Sequence, residues 1–144
     1  MKVVVTGSRT WREREQVEDQ LDKLYLQTLE VSQDFELIHG GAKDGADLFA
    51  HEWAENLSRA GFAITETVIR PDYNTWGPKI APLQRNTLMI LRGPDVVLAF
   101  AERCVNPTCK RRYTHSTHGT WDAVSKAFKA RIEVRETRGT TWNS

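Results

Sequence analysis

Paired glycines and a lysine follow a short apolar run, in the order Gly40-Gly41-Ala42-Lys43-Asp44. Apolar residues then recur at helical spacing over 46–54, which predicts a strand that enters a helix through a glycine-rich turn. Glycine lets backbone N–H groups approach an anion, and the first turn of a helix offers further unpaired N–H groups. The stretch fits a phosphate-binding loop with Lys43 as a mobile charge. It fits equally a tight turn in which Asp44 caps the helix.

Two further segments combine small residues with a hydroxyl or a cation: Gly7-Ser8-Arg9 and Thr117-His118-Gly119-Thr120. The first follows a β-branched run, and the second opens a predicted helix. Arg9 can form paired hydrogen bonds with phosphate oxygens, and the Gly119 amide with the Thr120 hydroxyl can bind a second anion. The alternatives are a surface salt bridge for Arg9 and plain helix capping for the threonines.

Two cysteines and two histidines lie within 15 residues of one another: Cys104, Cys109, His115 and His118. Thiolate and imidazole groups are ligands of tetrahedral zinc, and the polar loop that carries them has little apolar content to order it otherwise. The spacing C-x4-C-x5-H-x2-H is irregular for a zinc finger. Two interpretations stay open, namely a structural zinc knuckle over 104–118 and free cysteines with exposed histidines. His118 could instead face the ligand beside Gly119.

The composition limits the classes of protein to which the chain can belong. A chain of 144 residues with 40% hydrophobic residues, 27% charged residues and a net charge of +1 suits one ordinary soluble domain and argues against a dedicated nucleic-acid binder. The basic run Lys110-Arg111-Arg112 is most simply a solvated loop. The apolar runs are short and the chain begins directly with a strand, so we expect no membrane span, no secretory signal and a cytoplasmic protein.

Alternating strands and helices must position these segments. The predicted strands are 3–6, 35–39, 62–69, 95–100 and 132–134, and the predicted helices are 12–30, 44–60, 82–91 and 119–130. This order predicts an α/β fold, an open parallel sheet of about five strands with helices on both faces. Ligands of such sheets bind where the carboxyl ends of several strands meet, which would unite the three segments.

Two stretches outside the predicted strands and helices are predicted to be irregular. Residues 70–81 are rich in turn formers and predict a surface loop that carries Tyr73 and Trp76. Residues 137–144 predict a flexible tail after a domain over 1–136, and Trp142 is the one residue that suggests docking. In the helix at 82–91, we expect Pro82 in the first turn and four inward side chains: Leu83, Leu88, Met89 and Leu91.

The order of five motifs resembles the small YspA-like branch of the SLOG superfamily, which also contains the LOG phosphoribohydrolases and the DprA DNA-processing proteins. These motifs are VVVTGSR at 3–9, HGGAKDGAD at 39–47, Arg85-Asn86 with Met89, DVVLAF at 95–100 and HGT at 118–120. The resemblance implies a single Rossmann-like domain that binds a nucleotide or a nucleotide-derived molecule. The ligand-binding residues expected by position are Gly7, Ser8, Arg9, Gly40, Gly41, Ala42, Lys43, Asp44, Arg85, Asn86, Gly119 and Thr120.

One departure from the LOG pattern concerns catalysis. LOG hydrolases carry a glutamate in the last loop that serves cleavage of the N-glycosidic bond, and Ala123 stands at that position here. Leaving-group departure from a ribosyl carbon needs a carboxylate, so Arg85 alone cannot complete the chemistry. Asp122 lies one position early, which rotates it by about 100° on a helix. Asp44 and Asp47 are the other candidates for this carboxylate. An N-cap role and a solvent-facing role account for them at least as well as catalysis does.

The sequence therefore favours a nucleotide binder, a sensor or sequestering protein without turnover, and Arg85 and Asp122 are weak catalytic candidates. The alternatives are a LOG-like nucleoside-monophosphate phosphoribohydrolase and DprA-like binding of single-stranded nucleic acid. We expect the phosphates at the glycine turn and Lys43, the sugar or a second phosphate near Arg9 and Arg85, and the base toward Tyr73 or Trp76. We expect a homo-oligomer that associates through the third and fourth helices. No cofactor is expected to be required, and the structural zinc stays one of two open interpretations.

Overall fold

The computed structural model of the chain describes residues 1–143, apart from the side chains of residues 141 and 143. The strands are β1 (Lys2–Gly7), β2 (Glu36–His39), β3 (Thr65–Val68), β4 (Val96–Ala101) and β5 (Glu133–Arg138). The α-helices are α1 (Arg14–Glu30), α2 (Gly45–Arg59), α3 (Tyr73–Leu91) and α4 (His118–Lys129), and a 3-10 helix follows over Thr140–Asn143.

The five strands form one parallel sheet in the order β3-β2-β1-β4-β5. The central strand β1 pairs with β2 on one side and β4 on the other, and Val4 is opposite Ile38 and Val97. The strand order runs outward from β1 in both directions, so the topological switch point lies between β1 and β4. The predicted α/β class and five-stranded sheet are confirmed.

Each face of the sheet has its own core. Helices α1 and α2 cover one face around Trp11, Phe35 and Trp53, which are at most 5% exposed. Met89 of α3 and Ala127 of α4 pack on the other face. Because the central strands are covered on both sides, they consist of continuous apolar residues rather than an alternating pattern.

Helix α3 begins nine residues earlier than the sequence predicts, because its turn formers act as helix starters. The Asp72 carboxylate accepts a hydrogen bond from the Thr75 amide at 3.1 Å, which caps the first turn. Gly77 then interrupts the helix with φ of 74°, and Pro78 opens the second part. The prediction of a surface loop over 70–81 is therefore wrong from Tyr73 onward, and Pro82 lies inside the helix.

The side chains of α3 that face the sheet also differ from those expected, and the buried residues of the helix are Ala81, Asn86, Met89 and Ile90. Met89 is buried at 2% exposure, whereas Leu83, Leu88 and Leu91 are 39%, 52% and 74% exposed. The expectation that these four side chains lie mostly inward is correct only for Met89. The exposed leucines leave apolar surface on this helix, and the predicted homo-oligomer stays a prediction.

The C-terminal segment continues the fold beyond the boundary predicted at 136. Strand β5 runs to Arg138, and its pairing with β4 extends to the end of both strands. The indole Nε1 of Trp142 and the Gly139 amide then both donate to the Ala101 carbonyl, at 2.7 and 2.9 Å. Trp142 therefore docks on the end of β4, while Ser144 of the predicted tail lies outside the described residues.

Among residues 1–143, no helix is long and apolar enough to cross a membrane.

Candidate functional site

A cleft of about 730 Å³ opens at the carboxyl edge of the sheet, where the segments after β1 and β2 meet the start of α4. Nearly all residues expected to bind ligand line this cleft: Gly7, Arg9, Gly40, Gly41, Ala42, Lys43, Asp44, Arg85, Asn86, Gly119 and Thr120. The cleft lies beside the switch point between β1 and β4, as the topology of an open parallel sheet requires. Three separated glycine-containing segments thus form one site.

Ser8 is the exception among the predicted ligand-binding residues. It is 5% exposed and does not line the cleft. Its hydroxyl shares a hydrogen bond with the Thr10 hydroxyl at 2.7 Å and accepts one from the Thr10 amide at 3.2 Å. Its carbonyl accepts from the amides of Trp11 and Ala46. Ser8 therefore shapes the turn after β1 and ties it to the start of α2.

Two arginines hold the carbonyl groups of the glycine turn. Nη1 of Arg85 donates to the Gly40 carbonyl at 3.0 Å, and Nη1 of Arg70 donates to the Gly41 carbonyl at 3.0 Å. A Cβ atom on Gly40 would lie 2.0 Å from Nη1 of Arg85, so the glycine allows the guanidinium to cross the turn. The paired glycines serve the approach of these side chains.

The amide groups of the same turn are also bonded within the protein. The Gly41 amide donates to Nδ1 of His39 at 3.0 Å, and the Ala42 amide donates to Oδ2 of Asp47 at 3.2 Å. The sequence predicts that amides of this turn hold a phosphate. These two amides already have acceptors, so an anion at this wall would contact side chains instead.

Asp47 is buried, accepts a hydrogen bond from the glycine turn and does not face solvent. It is 8% exposed, which corrects the solvent-facing role considered from the sequence. Burial raises the pKa of Asp47, while the charge of His39, the amides of Ala42 and Gly40, and the charge of Arg85 act in the opposite direction. The carboxyl group thus bonds to the turn after β2 and lies close enough to the guanidinium of Arg85 for their charges to interact.

Replacing Gly41 by alanine is expected to lower the free energy of unfolding by about 1–3 kcal/mol. Gly41 has φ of +73°, and an added Cβ would lie 2.7 Å from Cγ1 of Val68. The matched control is Gly119→Ala, since a Cβ at Gly119 meets no atom within 4 Å. Urea unfolding of the two variants measures the difference, and equal stability would contradict the tight turn.

Four cationic side chains line the cleft, namely Arg9, Lys43, Arg70 and Arg85. Burial lowers the pKa of Arg85, and the charge of Arg9 lowers it further, whereas Asp47 raises it. Within residues 1–143, neither Arg9 nor Lys43 forms a hydrogen bond or an ion pair, so the surface salt bridge considered for Arg9 is absent there. The site holds like charges close together, an arrangement that an anion would stabilise.

The opposite wall is the N-terminus of α4. The hydroxyls of Thr117 and Thr120 share a hydrogen bond at 3.2 Å. The buried Asn86 donates to the Gly119 carbonyl at 3.3 Å and accepts from Nε of Arg85 at 2.9 Å. Asn86 therefore fixes α3 to α4 across the cleft, while the amides of the first turn of α4 lack intrahelical partners.

The catalytic candidate on α4 does not line the cleft. Oδ2 of Asp122 accepts from Nδ2 of Asn86 at 3.0 Å and from Nζ of Lys126 at 2.8 Å. Asp122 is not among the residues that line the cleft, and Ala123 behind it is fully buried. The helix geometry thus keeps this carboxylate in a structural network, as its position one residue early suggests.

Several residues that line the cleft are not among the predicted ligand-binding residues. Arg70 and Pro71 follow β3, and Asp47 and Met89 face the cleft from α2 and α3. Arg70 was detectable, because it follows the carboxyl end of a predicted strand as the other segments do. Of the two aromatics expected near a base, Tyr73 lines the cleft and Trp76 does not.

The four predicted metal ligands also come together. Cys104, Cys109, His115 and His118 place one ligand atom each within 4.8 Å of all the others. This cluster lies at the first residue of α4, beside the cleft wall and not inside it.

Comparisons with known proteins agree with this fold and these motifs. The profile of the YspA, cpYpsA-related SLOG family matches residues 1–73, which include β1, the glycine turn and Arg70. The chain is also similar to the Gene 61 protein of Mycobacterium phage D29, with 39% identity over 100 residues that make up 69% of this chain and 75% of that protein. The chain therefore belongs to the YspA, cpYpsA-related SLOG family.

Proposed function

We propose that the protein binds the phosphate-bearing part of a nucleotide or nucleotide derivative in the cleft and releases it unchanged. The supporting observation is that Arg9 and Lys43 line the cleft without any hydrogen bond or ion pair among the residues that the structure describes. Charged donors without a protein acceptor bind phosphate oxygens strongly in a partly enclosed site.

The other groups of the cleft suit the remaining parts of such a ligand. The first turn of α4 offers the amides of Gly119 and Thr120 to a second anionic group. Tyr73, Pro71 and Met89 provide apolar and aromatic surface for a base. A volume of about 730 Å³ lies within the range typical of small-molecule pockets.

The positions of the carboxylates favour binding over hydrolysis. Asp47 accepts from the turn amides, and Asp122 is bonded to Asn86 and Lys126. Asp44 is exposed at the start of α2, where its side chain forms no capping hydrogen bond. Hydrolysis of an N-glycosidic bond needs a carboxylate directed at the sugar, and neither Asp47 nor Asp122 is free for that role. Asp44 lines the cleft as an exposed residue, so it is the carboxylate that the hydrolytic alternative would have to use. A binder without turnover acts as a sensor or as a sequestering protein.

The test is incubation with nucleoside monophosphates, dinucleotides, cyclic nucleotides and ADP-ribose derivatives, followed by mass spectrometry of the bound and the released species. Recovery of an unchanged compound from the protein is expected. Free base or ribose phosphate in solution would instead establish the phosphoribohydrolase and overturn binding without turnover. Retention of no compound from the panel would overturn the proposed ligand class.

The same panel includes a labelled single-stranded oligonucleotide. Affinity that disappears by about 0.2 M salt reports only the nonspecific electrostatic term, and we expect this outcome. The expectation rests on the net charge of +1 and on Arg111, whose guanidinium stacks 3.5 Å from the ring centroid of Trp121. Affinity that persists at that salt concentration would favour the DprA-like alternative.

A further inference from the structure

We propose that Cys104, Cys109, His115 and His118 bind one structural zinc ion. The Cys109 sulfur lies 3.3 Å from Nε2 of both histidines, and the Cys104 sulfur lies 3.5 Å from Nε2 of His118. In a tetrahedral site with ordinary zinc–sulfur and zinc–nitrogen bonds, a sulfur and a nitrogen ligand are about 3.5 Å apart. Three sulfur–nitrogen separations therefore match those of a Cys2His2 site, and all four ligand atoms lie within 4.8 Å of one another.

The surroundings orient one of the imidazole rings as a metal site requires. Nδ1 of His115 lies 2.7 Å from the Ser116 carbonyl and is the donor in that hydrogen bond. Its Nε2 atom then carries the lone pair and points toward the Cys109 sulfur. A backbone carbonyl on the distal nitrogen is a common support for a histidine that binds zinc.

Hydrogen bonds among the four side chains do not account for their convergence. Both cysteines are free thiols, so no disulfide holds the loop. Both sulfurs approach the single Nε2 atom of His118, and one nitrogen cannot donate fully to two sulfur atoms that are themselves weak partners. A cation that replaces the thiol protons satisfies all four groups at once.

The ion would add bonds to a loop that is otherwise held by a few backbone hydrogen bonds and by side-chain contacts with Trp121. Between the end of β4 and α4, the backbone forms an isolated bridge between Arg103 and Ser116, together with the 2.8 Å hydrogen bond from the Cys104 amide to the His115 carbonyl. The apolar side chains of the loop include the exposed Val105, so burial contributes little to ordering it. Closing such a loop with a metal contributes directly to its folding free energy.

The metal would also fix one wall of the cleft. His118 is the first residue of α4, and the next two residues line the cleft. Tyr113 packs edge-on against Trp121 of the same helix turn, with ring centroids 6.0 Å apart. Zinc therefore positions the amides of Gly119 and Thr120, a consequence that rests on the proposed function, whereas the metal site itself does not.

The test is metal analysis of the full chain purified without added zinc. We expect about one zinc per chain in the wild-type protein and less than about a tenth of an equivalent in Cys109→Ser. Ser116→Ala is the matched control, because it removes a hydroxyl from the same loop and keeps the carbonyl that orients His115; it should retain the metal. Replacement of zinc by cobalt(II) should give the intense visible absorption of a tetrahedral thiolate site.

A second measurement keeps the test decisive if Cys109→Ser does not fold. Chelator treatment of the wild-type protein should remove the metal and lower its thermal unfolding temperature, and added zinc should restore both. Wild-type protein that contains no zinc and binds neither zinc nor cobalt at neutral pH would overturn the site. An intact mass two hydrogens below the sequence mass, indicating a disulfide, would overturn it as well. Because no nucleotide is present, a negative result here is separate from a failure of the proposed function.

Discussion

Replacing Asp47 by alanine is expected to lower the free energy of unfolding by about 3 kcal/mol. The side chain is 8% exposed and accepts a hydrogen bond from the Ala42 amide at 3.2 Å. Its removal leaves that amide without its acceptor and leaves the guanidinium of Arg85 without its neighbouring carboxyl group. Both groups stay in a poorly solvated region, so the loss exceeds that of one exposed hydrogen bond.

Asp44→Ala is the matched control for this prediction. Asp44 lies three residues earlier, is exposed, and forms no side-chain capping bond to α2. We expect Asp44→Ala to change the free energy of unfolding by less than about 0.5 kcal/mol. Urea unfolding monitored by far-ultraviolet circular dichroism provides both values. Similar effects of the two substitutions would show that Asp47 does not hold the glycine turn.

The second large effect concerns ligand affinity. The double variant Arg9→Met, Lys43→Met is expected to bind the nucleotide identified in the panel at least about 100-fold more weakly, since each charge-assisted hydrogen bond contributes about 1.5 kcal/mol. Within residues 1–143 these two side chains have no hydrogen-bonding partner, so the variant should retain the stability of the wild-type protein. Calorimetric titration and urea unfolding of the same preparations separate the two properties.

Lys23→Met provides the control for charge removal. Lys23 is an exposed residue of α1, on the opposite side of the sheet from α3 and outside the cleft. Its replacement changes the net charge of the chain without altering the cleft, and we expect an unchanged dissociation constant. If the double variant binds the nucleotide as tightly as Lys23→Met does, the ligand does not contact Arg9 or Lys43.

The sheet could be predicted because its signal is local and strong. The continuous apolar runs at β1 and β4 occur in strands that are covered on both faces, and Gly7 ends β1 while Gly40 directly follows β2. The start of helix α3 could not be predicted, because its signal depends on a bond between side chain and backbone. Asp72, Gly77 and Pro78 are typical of turns, and their role in starting a helix depends on the capping bond to Thr75, which the sequence alone does not reveal.

The sequence predicts which segments line the cleft, but it does not predict the hydrogen bonds that the residues of the cleft form with one another. The topology rule placed the glycine turn, Arg9 and Gly119 at one edge of the sheet, where the structure has them. The bonds of the turn amides to His39 and Asp47 depend on side chains from different elements, and no spacing in the sequence encodes them. In the proposed binding mode, side-chain cations therefore replace the Gly41 and Ala42 amides as phosphate donors.

The most direct test of the cleft is amide mapping by nuclear magnetic resonance, with uniformly nitrogen-15-labelled protein titrated with the nucleotide retained from the panel. Binding in the cleft predicts concentration-dependent shifts of the amides of Arg9, Lys43, Gly119 and Thr120, and much smaller shifts for the same nucleoside without phosphate. Shifts confined to the amino edge of the sheet, or equal shifts with the unphosphorylated nucleoside, would contradict a phosphate site formed by these three segments.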